Sequence, residues 1–508
     1  MDRLVAANFA KDKKQASMRG AYHLIVAAWA LCLVVQPQVS DGARVTFTET
    51  QVPGRHDTLL FCDLNGDGLA DMVRVEGTVA HIYFQGASEG FAHPAHLAYQ
   101  MAQVPTVIWS SPCDKARGSL LLLTHEGVSE LSCPDRAAPP KLARIITRPT
   151  MIPAAVDGGS SIHSVCLSAR GPASSSFVFV PTEASIEVWQ CKERWRMVQD
   201  FAGAVNCDIS VSDDPIGYRR KTSVDVSVSD LNGDGLDDVV VSTGQAGRTQ
   251  FKVYVQTREG AMPFVPVASL SGSWDGQSTW IAWVDVNRDG KIDLIQSTWL
   301  REPWFLPGIR SGKVLIQVFL ADSQGQLAEK PQFVLRKSDW MPALPLVDVD
   351  GDGFVDMVLG YSPFSTRDGH RKNLGAGQLD HNLRFHFFRQ GTGYLEEPDC
   401  QADLLLSMNT NWVIFDVAHV QLLDTLINLS GDFDGDGRLD LLVRDNAASV
   451  SVYPFVSREI GFGTTPMARF KHPGPVEAIV VKDLNGDRVS DCVILDKENT
   501  QVFLSRKK

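Results

Sequence analysis

The sequence predicts an all-β chain, a β-propeller of four-stranded blades, on three observations. A nine-residue acidic loop occurs six times: DLNGDGLAD from Asp63, DLNGDGLDD from Asp230, DVNRDGKID from Asp285, DVDGDGFVD from Asp348, DFDGDGRLD from Asp432 and DLNGDRVSD from Asp483. Each is followed by a short apolar run (MVRVE, VVVST, LIQST, MVLGY, LLVRD, CVILD), rich in β-branched residues, that reads as a buried strand. Successive first aspartates lie 167, 55, 63, 84 and 51 residues apart. Repeats of this period without helical periodicity favour blades around an axis.

The spacing sets the blade count. The first gap is about three periods long and holds two degenerate units, near 104–135 and 161–195, each with a strand, turn, strand, strand layout and no acidic loop. A polar insert, Ser362 to Asn382, accounts for the 84-residue gap. Eight blades result, with seven as the alternative count. Within a unit, strand A leads into the acidic loop, strand B leaves it, and strands C and D follow. The last unit ends after QVFLSR without a strand D, while an unassigned alternating run, ARVTFTETQ, begins at Ala43. Pairing the two closes the ring and removes two exposed sheet edges.

Each loop offers side-chain oxygens at positions 1, 3, 5 and 9, and a backbone carbonyl at position 7, which is the donor set of calcium. The side-chain ligands are Asp63, Asn65, Asp67 and Asp71; Asp230, Asn232, Asp234 and Asp238; Asp285, Asn287, Asp289 and Asp293; Asp348, Asp350, Asp352 and Asp356; Asp432, Asp434, Asp436 and Asp440; and Asp483, Asn485, Asp487 and Asp491. Position 7 is filled by Leu69, Leu236, Lys291, Phe354, Arg438 and Val489. Glycine at position 6 permits a positive φ where the chain wraps the ion. The loop at Asp483 has Arg488 there and is expected to bind weakly or not at all. The glutamate and flanking helices of an EF-hand are missing, so the loops are not EF-hands.

The six loops bring 20 carboxylates to ligand positions, a crowding that is unfavourable without a cation. The whole chain carries −12, and −14 once the residues before Ala43 are removed. Six calcium ions would leave about −2. Five or six structural ions, pinning the A–B turns, is the expectation. An acidic chain without a basic stripe excludes a nucleic-acid partner.

Residues 1–42 read as a secretory signal, with an uncleaved anchor as the alternative, and 43–508 as the propeller. The apolar run Leu24–Val35 has twelve residues, follows Lys11, Lys13, Lys14 and Arg19, and is short for a membrane span. Cys32 lies inside it, which leaves eight cysteines, an even number suited to an extracellular or periplasmic location. Cys113 and Cys133, and likewise Cys166 and Cys191, fall at the ends of strands A and C in the two units without acidic loops. A disulfide is expected to replace the metal in each.

The unit resembles the FG-GAP or VCBS repeat of integrin α-chain propellers and many secreted bacterial proteins, through its acidic loop and the strand after it. That resemblance implies calcium in the A–B loops and a role in adhesion or ligand binding. Seven blades are usual in the family, so eight is a departure.

The expected ligand is a glycan or an extracellular protein, bound by a monomer without a further membrane span. Two enlarged B–C connections on neighbouring blades supply the candidate patch: Trp299, Trp304 and Phe305 on one, His370 and Arg371 on the other. Aromatic rings beside cations stack on sugars or anchor proteins; packing over the blade edge is the competing reading. No HExxH or phosphate-binding loop is present. A binding module without catalysis is the leading reading, and a calcium-dependent polysaccharide lyase using His370, Arg371 and Arg301 is the alternative.

Overall fold

The computed structural model describes residues 45–54, 58–86, 90–91, 93–102, 107–111, 118–133, 136, 138–150, 168–170, 175–182, 184–191, 194–202, 205–211, 218–224, 226–245, 248–257, 265–273, 279–301, 312–338, 346–361, 378–407, 427–446, 448–474, 476–496 and 498–507. Among them there is no helix, and therefore none long and apolar enough to cross a membrane. Eight four-stranded antiparallel sheets form the blades of a propeller.

In blade 1 the strands are Thr58–Cys62, Asp71–Glu76, Val79–Tyr83 and Leu97–Gln100. Blade 2 has Val107–Ser111, Ser119–Thr124, Gly127–Ser132 and Lys141–Thr147; blade 3 has Ser168–Arg170, Ser176–Pro181, Ser185–Cys191 and Trp195–Ala202. Blade 4 follows with Val226–Ser229, Asp238–Gln245, Arg248–Tyr254 and Ala268–Ser273, and blade 5 with Thr279–Val284, Asp293–Arg301, Gly312–Phe319 and Phe333–Ser338. Blade 6 comprises Leu346–Val347, Asp356–Tyr361, Gln378–His386 and Cys400–Ser407; blade 7 comprises Ile427–Gly431, Asp440–Asn446, Ser449–Tyr453 and Ala468–Lys471. Blade 8 takes Ala478–Lys482, Asp491–Leu495 and Asn499–Lys507 from the far end of the sequence and its fourth strand, Val45–Pro53, from the near end. That pairing runs in unbroken antiparallel register from Val45 opposite Lys507 to Pro53 opposite Asn499. It is the closure expected from the missing strand D.

The core lies between blades. Strand B is covered on both faces, as in the wholly buried Asp491–Leu495, which explains its unbroken apolar sequence. Met72, Tyr83 and Phe91 of blade 1 pack on Val493, Val502 and Leu504 of blade 8. On blade 1's other side, Leu64 and Val73 meet Ile108 and Leu120 of blade 2. Similar clusters join each later pair, through Phe470 and Phe503 between blades 7 and 8. Their rings are 4.6 Å apart between centroids. At roughly 1.5–3 kcal/mol per buried large side chain, these interfaces dominate the stability of the ring.

Several boundaries differ from expectation. Strand B of blade 5 continues through Trp299 to Arg301, and strand C of blade 6 already starts at Gln378, so the two B–C connections are shorter than their polar sequences suggest. His381 belongs to that strand and is buried. A separate hairpin, Val205–Val211 with Tyr218–Val224, stands between blades 3 and 4 and takes up part of the long first gap. In blade 3 strand A is Ser168–Arg170, and its register places Arg170 level with Cys191 through Ser176. Cys113 and Cys166 lie outside the described residues. No disulfide joins Cys62, Cys133, Cys400 and Cys492 to one another; burial pushes the thiols of Cys62, Cys133 and Cys400 up to about 12.

Candidate metal centre

All six acidic loops adopt one conformation, and their own backbone amides hold it. The position 1 carboxylate accepts hydrogen bonds from amides further round the turn, as from Gly66 and Gly68 to Asp63 at 2.7 and 2.8 Å. Position 5 accepts from the amide of position 7 in every loop, at 2.8 to 2.9 Å. Two residues per loop need a positive φ, at positions 4 and 6. Glycine fills ten of these twelve places, and the other two belong to Arg288 (φ 56°) and Arg488 (φ 63°). The need at position 4 was not legible from the donor pattern alone. Arg488 keeps the shape of the Asp483 loop, since its amide still reaches Asp483 at 2.9 Å. A left-handed non-glycine residue costs about 1–2 kcal/mol. Arg488→Gly is therefore expected to raise stability by up to about 1 kcal/mol, read as a higher denaturation midpoint at unchanged slope.

Position 9 does more than the donor pattern requires. It is always the first residue of strand B, and Asp71, Asp238, Asp293, Asp356, Asp440 and Asp491 are at most 2% exposed. One oxygen of each accepts from the amide of loop position 2. The other accepts from an amide just beyond strand C or at its end (Gln85, Gln256, Ala321, Phe388, Phe455, Ser505). All twelve bonds lie between 2.6 and 3.2 Å. Each aspartate thus staples the A–B loop to strand C. Burial outweighs these bonds and pushes the carboxyls up, to about 6 for Asp71 and Asp491, about 7 for Asp238, Asp293 and Asp356, and about 8 for Asp440.

In the two loops with four aspartates, oxygens of positions 1, 3 and 9 converge. Those of Asp348, Asp350 and Asp356 lie within 4.8 Å of one another, as do those of Asp432, Asp434 and Asp440. Three carboxylates gathered this closely, one of them buried with its pKa pushed up, fit a hard divalent cation. Position 5 stands outside this close group, because Asp352 and Asp436 each give one oxygen to the position 7 amide and the other to an arginine. In the loops with asparagine at position 3, the asparagine amide takes that second oxygen: Asn65 on Asp67 at 2.9 Å, Asn232 on Asp234 at 3.4 Å and Asn287 on Asp289 at 3.2 Å. Asn485 instead donates to the Ser505 carbonyl, and Ser505 donates to Asp487.

Because blade 8 adjoins blade 1, the six loops occupy consecutive blades, 4 through 8 and then 1. Backbone bonds link them in series. The amide of Asp285 donates to the Leu231 carbonyl, that of Val355 to Val286, Leu439 to Val349, Ser490 to Asp432 and Ala70 to Leu484, at 2.7 to 3.1 Å, and the Gly118 amide of blade 2 donates to the Asp63 carbonyl. Glycine is required where the loops touch. A Cβ on Gly351 would lie 2.5 Å from the Gly437 carbonyl.

The candidate ligand patch is less defined. Trp299 is placed as a backbone position opposite Val314, while Trp304, Phe305, His370 and Arg371 lie outside the described residues.

Together, the fold and the loops define an eight-bladed β-propeller with acidic A–B loops. Residues 230–295, which span the Asp230 and Asp285 loops, match the family model described as the FG-GAP-like repeat. No curated protein matches the sequence. The fold is similar to that of an Agrocybe aegerita lectin, solved for its specific recognition of non-reducing terminal N-acetylglucosamine, at 12% identity and a TM-score of 0.34 over 71% of this chain and 86% of the lectin. It is also similar to the V. cholerae biofilm matrix protein Bap1, at 11% identity and a TM-score of 0.30 over 90% of this chain and 88% of that one.

Proposed function

We propose that this protein is a secreted, calcium-stabilised propeller that binds a glycan or extracellular protein and performs no catalysis. The observation that carries the calcium reading is the convergence of Asp348, Asp350 and Asp356, and of Asp432, Asp434 and Asp440, on one point in each loop. The converging aspartates of each loop, together with the position 5 aspartate beside them, would hold the ion, and its charge would offset their mutual repulsion. The leader-like N-terminus and the weak affinity typical of extracellular calcium modules, about 10⁻⁴–10⁻³ M, support a location outside the cytosol.

The binding role is tested with protein purified from culture medium, screened on a glycan array and on polysaccharides with and without calcium. Calcium-dependent retention of one ligand class without its degradation is the expected result. Depolymerisation of a polysaccharide would overturn it in favour of a lyase. Trp304→Ala combined with Arg371→Ala is expected to abolish binding to the retained glycan while leaving calcium content and melting temperature unchanged. Normal binding by that variant would move the ligand to another surface.

A further inference from the structure

Blade 7 reaches into the acidic loop of blade 6. Its C–D connection contains a short hairpin, Phe455–Ser457 with Gly461–Phe462, and Arg458 sits in the turn. The Arg458 guanidinium donates through Nε to Asp350 and through Nη2 to Asp352, positions 3 and 5 of the Asp348 loop. Asp350 is 7% exposed in its side chain, and Arg458 lies 5.4 Å over the buried ring of Phe387. The other four-aspartate loop has an arginine too: Arg438, at its own position 7, donates to Asp436 at 2.9 Å and to the Val456 carbonyl of the same hairpin. In three of the asparagine loops, the contact these arginines make on position 5 comes from the position 3 amide.

We propose that Arg458 is the charge-compensating residue of the Asp348 loop, doing from the neighbouring blade what Asn65, Asn232 and Asn287 do inside theirs. An aspartate at position 3 adds a negative charge and removes the donor that steadies position 5. The arginine restores both, so each kind of loop carries a net charge of about −3 toward its cation. Arg288, 3.7 Å from Asp348, approaches position 1 and not positions 3 and 5, so it does not substitute for Arg458. The proposal rests on calcium as the cation only for its effect on affinity; the pairing itself acts in metal-free protein.

The test is a double-mutant cycle between Arg458→Met and Asp350→Asn, read as the melting temperature of the metal-free protein. The side-chain amide introduced by Asp350→Asn would donate to Asp352 as the native position 3 asparagines do to their own position 5. Arg458→Met is therefore expected to lower the melting temperature by roughly 2–4 °C in the native background and by much less beside Asp350→Asn. Equal losses in both backgrounds would overturn the proposal and leave Arg458 as an inter-blade packing residue. If Arg458→Met does not fold, folding of the double variant supports the proposal, and failure of both overturns it. In calcium titrations of native and Arg458→Met protein, one site is expected to tighten about tenfold; weakening of that site would overturn the charge argument. A native protein that takes up no calcium would refute the calcium reading, and the metal-free cycle would still decide the role of Arg458.

Discussion

Removing calcium is expected to lower the melting temperature by on the order of 10 °C, because five or six sites each contribute about 2.7 kcal/mol at a hundredfold excess over the dissociation constant. The pH dependence should change with it. In metal-free protein the position 9 carboxyls hold their protons up to about pH 6 to 8, chiefly through burial, against an ordinary value of 3.8. Between pH 4 and 8 the folded state thus binds more protons than the unfolded chain, and stability falls as pH rises. Metal-free protein is expected to melt higher at pH 5 than at pH 8. Calcium, which favours the ionised carboxylates, should flatten or reverse that slope. Calorimetric scans at both pH values, with EDTA and with millimolar calcium, check both statements. Identical melting with and without the chelator, in protein shown to start metal-free, would refute the structural role of calcium.

The two aspartates at positions 9 and 5 of one loop should behave very differently. Asp356→Ala leaves the amides of Val349 and Phe388 buried without their acceptor and opens a void at the start of strand B. At about 1–3 kcal/mol for each stranded group, plus the lost packing, a cost of roughly 3–6 kcal/mol is expected with or without metal. Asp352→Ala removes a partly exposed carboxylate at the loop rim, so metal-free stability should change by about 1 kcal/mol or less while the bound calcium falls by one ion. Denaturation midpoints and metal analysis on the two variants separate the cases. Similar losses of stability in both would remove the distinction between staple and ligand.

The repeat was legible because its chemistry is local: nine residues carry the donor set, the glycine turn and the start of strand B. The ring closure was legible for a related reason, since the last unit lacked a strand and an alternating run at Val45 had no partner. What sequence could not give are contacts between distant segments. Arg458 meets Asp350 across 108 residues, and nothing near either residue marks the pair. The double duty of position 9 was hidden because a ligand and a backbone staple both call for the same carboxylate. Strand boundaries in QLDHN and TWLR were misplaced because their polar and aromatic residues read as loop, whereas cross-strand pairing decided the outcome.

The strand Val45–Pro53 sets the order in which the ring can assemble. It is synthesised before any blade, yet Gln51 bonds to Asn499, 448 residues later. Blade 1 and the six blades after it can each form from contiguous chain as it emerges. Blade 8 cannot, and until its third strand exists the first strand must wait as an unpaired edge. The ring therefore has a single late step, in which the two most distant parts of the fold meet and the arc of acidic loops becomes continuous from Asp483 to Asp63. Shortening the 499–507 segment would stop assembly at that step, leaving most of the blades folded and the circle open.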